Sequence, residues 1–282
     1  MSAQATPINT YIEQVHAALD LVSDPELDES VIELGFVSAI EVDAEGGVDI
    51  HFRLPTYWCA ANFAFLMADD MRCAVAALPW VTRVAVQLVE HMNDAQINQG
   101  LAQGLSFDQT FGNEATGNLD EVREIFAIKA FQRRQEKLLR YLLSVDYAVG
   151  TLVSLSLTQL AAMALDSEGQ NLRTRYLQRR QVIAPAVPTA GLLAFVNKQG
   201  APILAETLPV YLRGLRLVSI NTDFNGALCR GLLAQRYGTD ASVSLLPANV
   251  HPIHFVASTA ALHGRVDCSN VALPASQLAS QI

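Results

Sequence analysis

Between Val37 and Val89 the chain changes its hydrophobic period twice. Val37 to Val42 and Val48 to Leu54 alternate apolar and polar residues across Glu45-Gly46-Gly47, the pattern of two half-buried strands joined as a hairpin. Residues 60–77 are alanine-rich with a helical pattern that stops before Pro79, and Val81 to Val89 alternates again through Val84, Val86 and Leu88. Upstream, Ile8, Ile12, Val15, Ala18 and Leu19 recur on one helical face. Asp24-Pro25-Glu26 then forces a turn, because proline fixes φ and pushes the residue before it out of helix. Val31 to Leu34 is a short apolar segment ended by Gly35. Residues 1–95 therefore predict a small α+β domain with a three-stranded sheet.

Residues 96–118 are rich in Asn, Gln, Gly and Thr with few periodic apolar positions, and are expected as a linker. Asn118 with Glu121 three residues later matches a helix-start pattern, and Val122, Ile125, Phe126, Leu138, Leu139 and Leu142 continue it as a long amphipathic helix. More helix is expected over 156–166 and 170–181. The apolar runs Leu192–Val196, Leu215–Ile220 and Val243–Leu246 read as buried strands, with a helix over 225–236 between the last two. Residues 119–282 thus predict a larger mixed α/β domain with its helices first.

The net charge of −9 is unevenly spread. Residues 1–95 carry fifteen acidic against three basic residues, net −12, and the remainder thirteen against sixteen, net +3. An acidic first unit argues against nucleic-acid binding there, since phosphate contacts need a basic face. No apolar run reaches membrane-spanning length, and Met1–Thr10 lacks the basic-then-apolar order of a signal peptide. Cys59, Cys73, Cys229 and Cys268 form no CxxC pair, which fits a reducing compartment, so the expectation is a soluble, cytoplasmic protein.

The residue with the most definite chemical task is Cys59. It follows Pro55-Thr56-Tyr57-Trp58 at the end of a strand and precedes a helical stretch. A thiol at a helix N-terminus meets unpaired backbone N–H groups and the positive end of the helix dipole, and both favour the thiolate that binds metal or attacks. One thiolate is a poor stable cage for iron or zinc, but suits a transient site completed by a carboxylate such as Asp24 or Glu26, a second subunit or a client cysteine.

Across residues 8–92 the order of motifs resembles the small iron–sulfur assembly-factor domain of SufT- and PaaD-like proteins. The matching pieces are Val22-Ser23-Asp24-Pro25-Glu26-Leu27, Ile32-Glu33-Leu34-Gly35-Phe36-Val37, the hairpin, Pro55-Thr56-Tyr57 ahead of Cys59, and Leu78-Pro79-Trp80-Val81. The chain departs from that pattern in having Ala60 where proline usually follows the cysteine, and in a cysteine closer to the Pro-Thr-Tyr element. The resemblance implies an α+β domain that helps deliver iron or an iron–sulfur cluster, held transiently, with the motif cysteine as the reactive position. The implied partners are a client iron or iron–sulfur enzyme, a multicomponent oxygenase among the options, and other assembly proteins. One such thiol per chain also makes a homodimeric site attractive.

Other constellations compete with this one. His251, His254 and His263, followed by Cys268, place half of the six histidines within thirteen positions. A turn at Pro252 could gather them on one metal, which would make the second half a metal-dependent enzyme, although no zinc-type spacing is matched. Arg133, Arg134, Lys137 and Arg140 on one helix, and Arg173, Arg175, Arg179 and Arg180 on another, read as solvated basic faces or as a surface docking on the acidic first domain. Asn221–Gly226 reads as a loop between strand and helix that could take a small anion or ligand at the helix start, with Thr222 or Asp223 as an ordinary N-cap the default. There is no Gly-x-Ser-x-Gly elbow and no HExxH, so hydrolase chemistry of those kinds has no support. If Cys59 is idle, a structural adaptor remains.

Overall fold

The computed structural model describes residues 8–112, 119–183 and 192–238. The element order is α1 (Ile8–Asp20), β1 (Val37–Val42), β2 (Gly47–Arg53), α2 (Ala61–Ala76), β3 (Arg83–Val89), α3 (Asp94–Ala102), α4 (Phe107–Phe111), α5 (Leu119–Ser144), α6 (Val149–Ser154), α7 (Leu157–Ala162), α8 (Ser167–Arg180) and α9 (Leu208–Tyr237). The chain divides into two compact units, one reaching Leu119 and resuming at Ala227, the other Asp120–Gly226. No helix of the described residues is long and apolar enough to cross a membrane.

The first unit is the expected α+β arrangement. β1 and β2 pair antiparallel as a hairpin, and β3 joins β2 in parallel, giving the order β1-β2-β3. Parallel pairing requires a crossover, which α2 supplies. The carboxyl ends of β2 and β3 therefore fall at the same edge of the sheet, where α2 begins. Val15, Leu19, Ile40, Ile50, Phe52, Met67, Met71 and Leu88 form the core between sheet and helices, none more than 1% exposed. Apolar burial of this kind supplies about 1.5–3 kcal/mol per large side chain.

The hairpin turn depends on Gly46. Its φ is +83°, and a Cβ there would lie 2.5 Å from the Trp80 carbonyl oxygen. Its own carbonyl accepts from Thr82 N at 2.9 Å, tying the turn to the start of β3. Gly46→Ala is expected to destabilise this unit by about 1–3 kcal/mol through positive φ and collision with rigid backbone. A lowered urea midpoint measures that cost, and an unchanged midpoint contradicts it.

The expected linker is helical as far as it is described. α3 and α4 place Ile97, Leu101, Phe107 and Phe111 in the first unit's core. The Asn98 side chain accepts from Leu88 N at 2.8 Å and donates to Leu88 O at 2.9 Å, which fastens α3 to β3. Ser106 and Gln109 form a capping box at the head of α4. Polar composition hid these helices because their few apolar residues all point one way.

The second unit bears out the long helix as α5, and over Leu215–Ile220 it is helical where a strand was expected. Leu215–Ile220 lies inside α9, and Leu192–Val196 contributes isolated bridges, Ser156 with Leu193 and Val196 with Pro202. A continuous apolar run does not by itself distinguish a buried strand from a helix segment, and here helix wins. Asn221–Gly226 is likewise interior to α9 and not a loop, and Asp223 pairs with Arg133 at 2.8 Å.

The solvated basic faces are corrected in part, since Lys137 and Arg140 are exposed as expected. Arg133, Arg134 and Arg180 are buried, at 5%, 9% and 4% exposure. Arg134 Nη1 donates to Arg175 O at 2.6 Å and Gln178 Oε1 at 2.9 Å, while Arg180 donates to Ala194 O, Ile183 O and Leu193 O. Gln135, fully buried, donates to Val196 O and Tyr211 OH, and Tyr176 OH lies 2.6 Å from Ala194 O. Arg180 thereby satisfies three carbonyls outside the regular helices and strands. Val243–Leu246 lies outside the described residues.

Candidate functional site

β2 ends at Arg53, Pro55 stiffens the exit, and Thr56–Trp58 turn the chain so that Cys59 stands just before α2. Ala60, the N-cap, is extended (φ −60°, ψ 126°) and makes no side-chain cap bond. An alanine has no oxygen to offer the helix's first N–H groups; in the first turn Asn62 Oδ1 accepts from Phe63 N at 2.8 Å. Cys59 is half-buried against the core, and its Sγ lies 3.1 Å from Thr56 Oγ1. The expected placement of this thiol, after a strand and at a helix start, is what the structure has.

The end of β3 holds this turn from the other side. His91 Nε2 lies 2.8 Å from the Cys59 carbonyl oxygen, and His91 Nδ1 accepts from Asn93 N at 3.1 Å. A neutral imidazole that accepts at Nδ1 carries its proton on Nε2, so His91 donates to Cys59 O. Met92 N donates to Tyr57 O at 2.8 Å. His91 is buried, at 1% exposure, and acts as a positioning residue. Sequence reading missed it because only the parallel return of β3 brings residue 91 to residue 59. Tyr57, Trp58 and Met92 stay exposed and form an apolar rim beside the thiol.

Asp24 bears out the predicted turn. Its Oδ1 accepts from Glu26 N at 2.9 Å and Leu27 N at 2.7 Å, and its own N–H donates to Glu29 O. Burial pushes its carboxyl up to about 6, against the downward pull of those two backbone bonds. Glu26, the next candidate, is half-buried on the same turn.

A residue given no role in the sequence reading completes the picture. The end of α9 packs on the first unit through Leu233, 4% exposed in its core. Arg230 pairs with Glu29 at 2.5 Å, and Arg236 donates to Glu90 O at 2.9 Å and Leu54 O at 3.4 Å. The Arg53 guanidinium sits 3.9 Å over the Tyr237 ring, whose hydroxyl lies 3.0 Å from Glu90 Oε2. Cys229, one residue before Arg230, is half-buried against the same core as Cys59. Burial pushes its thiol up to about 11, helped by the charges of Asp24, Cys59 and Glu26 and opposed by Arg230.

Among the described residues no group of three or more His, Cys, Asp or Glu side chains is arranged to hold a metal ion. His251, His254, His263 and Cys268 lie outside the described residues. Cys73 is buried on α2, as expected of a core residue.

Residues 12–87 match the family described as iron-sulfur cluster assembly protein. The chain is 32% identical over 91 residues, 32% of its length, to an uncharacterized protein of Methanocaldococcus jannaschii, covering 94% of that protein. It is 32% identical over 77 residues, 27% of its length, to the Fe-S protein maturation auxiliary factor YitW of Bacillus subtilis, covering 74% of it. No solved structure matches.

Proposed function

Since the chain belongs, through its N-terminal domain, to the iron–sulfur cluster assembly protein family, we propose that Cys59 is the atom through which it passes iron or a cluster to a client enzyme. The observation that supports this reading is a half-buried thiol at the head of α2, where the N-cap Ala60 makes no side-chain bond. The cargo is a transient substrate, bound through sulfur with Asp24 or Glu26 as an oxygen donor and released when client cysteines outcompete an incomplete ligand set. The Tyr57–Trp58–Met92 rim would lie against the client, since exposed apolar side chains next to a reactive group favour protein contact. Residues 119–282 would add affinity and choice of client, an iron–sulfur or other iron enzyme such as a multicomponent oxygenase. Other assembly proteins supply the cargo, and the domain acts in the cytoplasm as a SufT- or PaaD-like maturation factor.

The test compares wild type, Cys59→Ala and His254→Ala purified without air from iron-replete cells, each measured for bound iron and for restoring activity to an iron-starved client. Loss of both readouts with Cys59→Ala alone is the expected result. Loss with His254→Ala alone would move the chemistry to the His251–His263 segment and overturn the proposal. Full activity in both variants would reduce the domain to an adaptor.

A further inference from the structure

Residues 1–95 hold three arginines among fifteen carboxylates, and two of the three are paired, Arg72 with Asp69 and Arg83 with Asp49. Arg53, the last residue of β2, is the exception. Its guanidinium lies 3.9 Å over the Tyr237 ring, and among the described residues its side chain makes no hydrogen bond and no ion pair. Its Nε is buried without an acceptor. A buried donor left unmet is uncommon and costs stability, so its presence in a unit rich in acceptors calls for a cause.

A second guanidinium, Arg236, lies 5.0 Å from the centroid of the same ring and donates to Leu54 O, Glu90 O and Glu90 Oε2. Tyr237 OH also donates to Glu90 Oε2. Two guanidiniums thus share one carboxylate, and the cluster keeps a positive excess inside an acidic unit. Contact with the ring restrains Arg53, so its planar fork is positioned in advance. The cluster also lies along the loops that shape the thiol site. Leu54 leads into the Pro55–Cys59 turn, and Glu90 precedes the His91 that holds the turn at Cys59 O. The exposed Tyr57, Trp58 and Met92 belong to the same two loops.

We propose that Arg53, backed by Tyr237 and Arg236, binds a carboxylate, namely an aspartate or glutamate side chain of the client protein. The inference rests on the delivery reading of Cys59 and names the chemistry of the partner it needs, a lone carboxylate flanked by apolar residues. A run of acidic residues would be repelled by the unit's own carboxylates, so one well-placed carboxylate is favoured over several. The guanidinium offers two parallel N–H donors to the two oxygens, a match that an ammonium lacks.

The probe is the blocked peptide acetyl-Leu-Ala-Glu-Ala-Leu-amide, with its glutamine analogue as the control. Phenylglyoxal, which attacks accessible guanidiniums, should modify Arg53 of the full-length wild type more slowly with the glutamate peptide and at an unchanged rate with the analogue, as mapped by peptide mass. Equal protection by both peptides, protection by neither, or an Arg53 that the reagent never reaches would each overturn the inference. Inorganic phosphate protecting as well as the glutamate peptide would also overturn it, by marking a general anion site. In calorimetry, Arg53→Gln should bind the glutamate peptide about tenfold more weakly than wild type, Arg53→Lys should fall between the two, and Arg83→Gln should match wild type. Undiminished binding in Arg53→Gln would overturn the inference and leave the delivery reading standing. That reading fails separately, through retained iron and client activation in Cys59→Ala, a variant whose peptide affinity should equal the wild type's.

Discussion

A chain carrying Leu233→Ala should unfold its N-terminal unit about 2–5 kcal/mol more easily than the wild type, although residue 233 lies far beyond the last strand. The leucine is 4% exposed and sits among Phe52, Leu54 and Met71 in a single apolar cluster. Truncation removes its burial and leaves a cavity that rigid strands cannot refill. Both tryptophans, Trp58 and Trp80, belong to this unit, so fluorescence during urea unfolding reports on it alone. Leu228→Ala is the control, since Leu228 is 50% exposed on the same helix and should shift the midpoint little. Equal, small shifts in both variants would show that the end of α9 does not belong to this core.

Asp24→Asn should raise stability at neutral pH while lowering iron retention. The amide keeps the oxygen that accepts from Glu26 N and Leu27 N, so the turn persists. Burial has raised the carboxyl from 3.8 to about 6, which means the folded chain holds a proton that the unfolded chain has already released. Stability contributed by that proton is complete below about pH 4 and is lost as pH rises towards 6. Above that window the cost of burying the charge is fully present, up to about 3 kcal/mol. The variant has no such charge, so its melting temperature should exceed the wild type's at pH 7.5 and converge with it near pH 4. A wild-type slope retained in the variant would place the titration elsewhere. The opposite movement of stability and iron binding is what a carboxylate kept for its chemistry predicts.

α2 gives a related reason for the departure at Ala60. Where a serine or aspartate would have capped the helix, alanine offers no side-chain bond, and on the proposed reading the free N–H groups would face the Cys59 sulfur. The His91 bond to the Cys59 carbonyl fixes the turn through the backbone and not through the sulfur.

The elements read directly from the residues are those whose cause is local. Alternation over Val37–Val42 and Gly47–Arg53 depends on strand geometry alone, the turn at Gly46 on its freedom at positive φ, and the Asp24 turn on a carboxylate and a proline side by side. Cys59 at the start of α2 was legible for the same reason, because strand, proline and helix follow each other within a few residues. What the tertiary structure decided are relations between residues far apart. Periodicity cannot say that β3 returns parallel to β2, and that return is what puts His91 on Cys59. Nor can it say that Leu215–Ile220 coils into α9, that Arg133, Arg134 and Arg180 turn inward, or that Leu233 and Cys229 belong to a domain begun two hundred residues earlier. In each case the local preference was weak or divided, and the burial of apolar surface against a distant partner settled it.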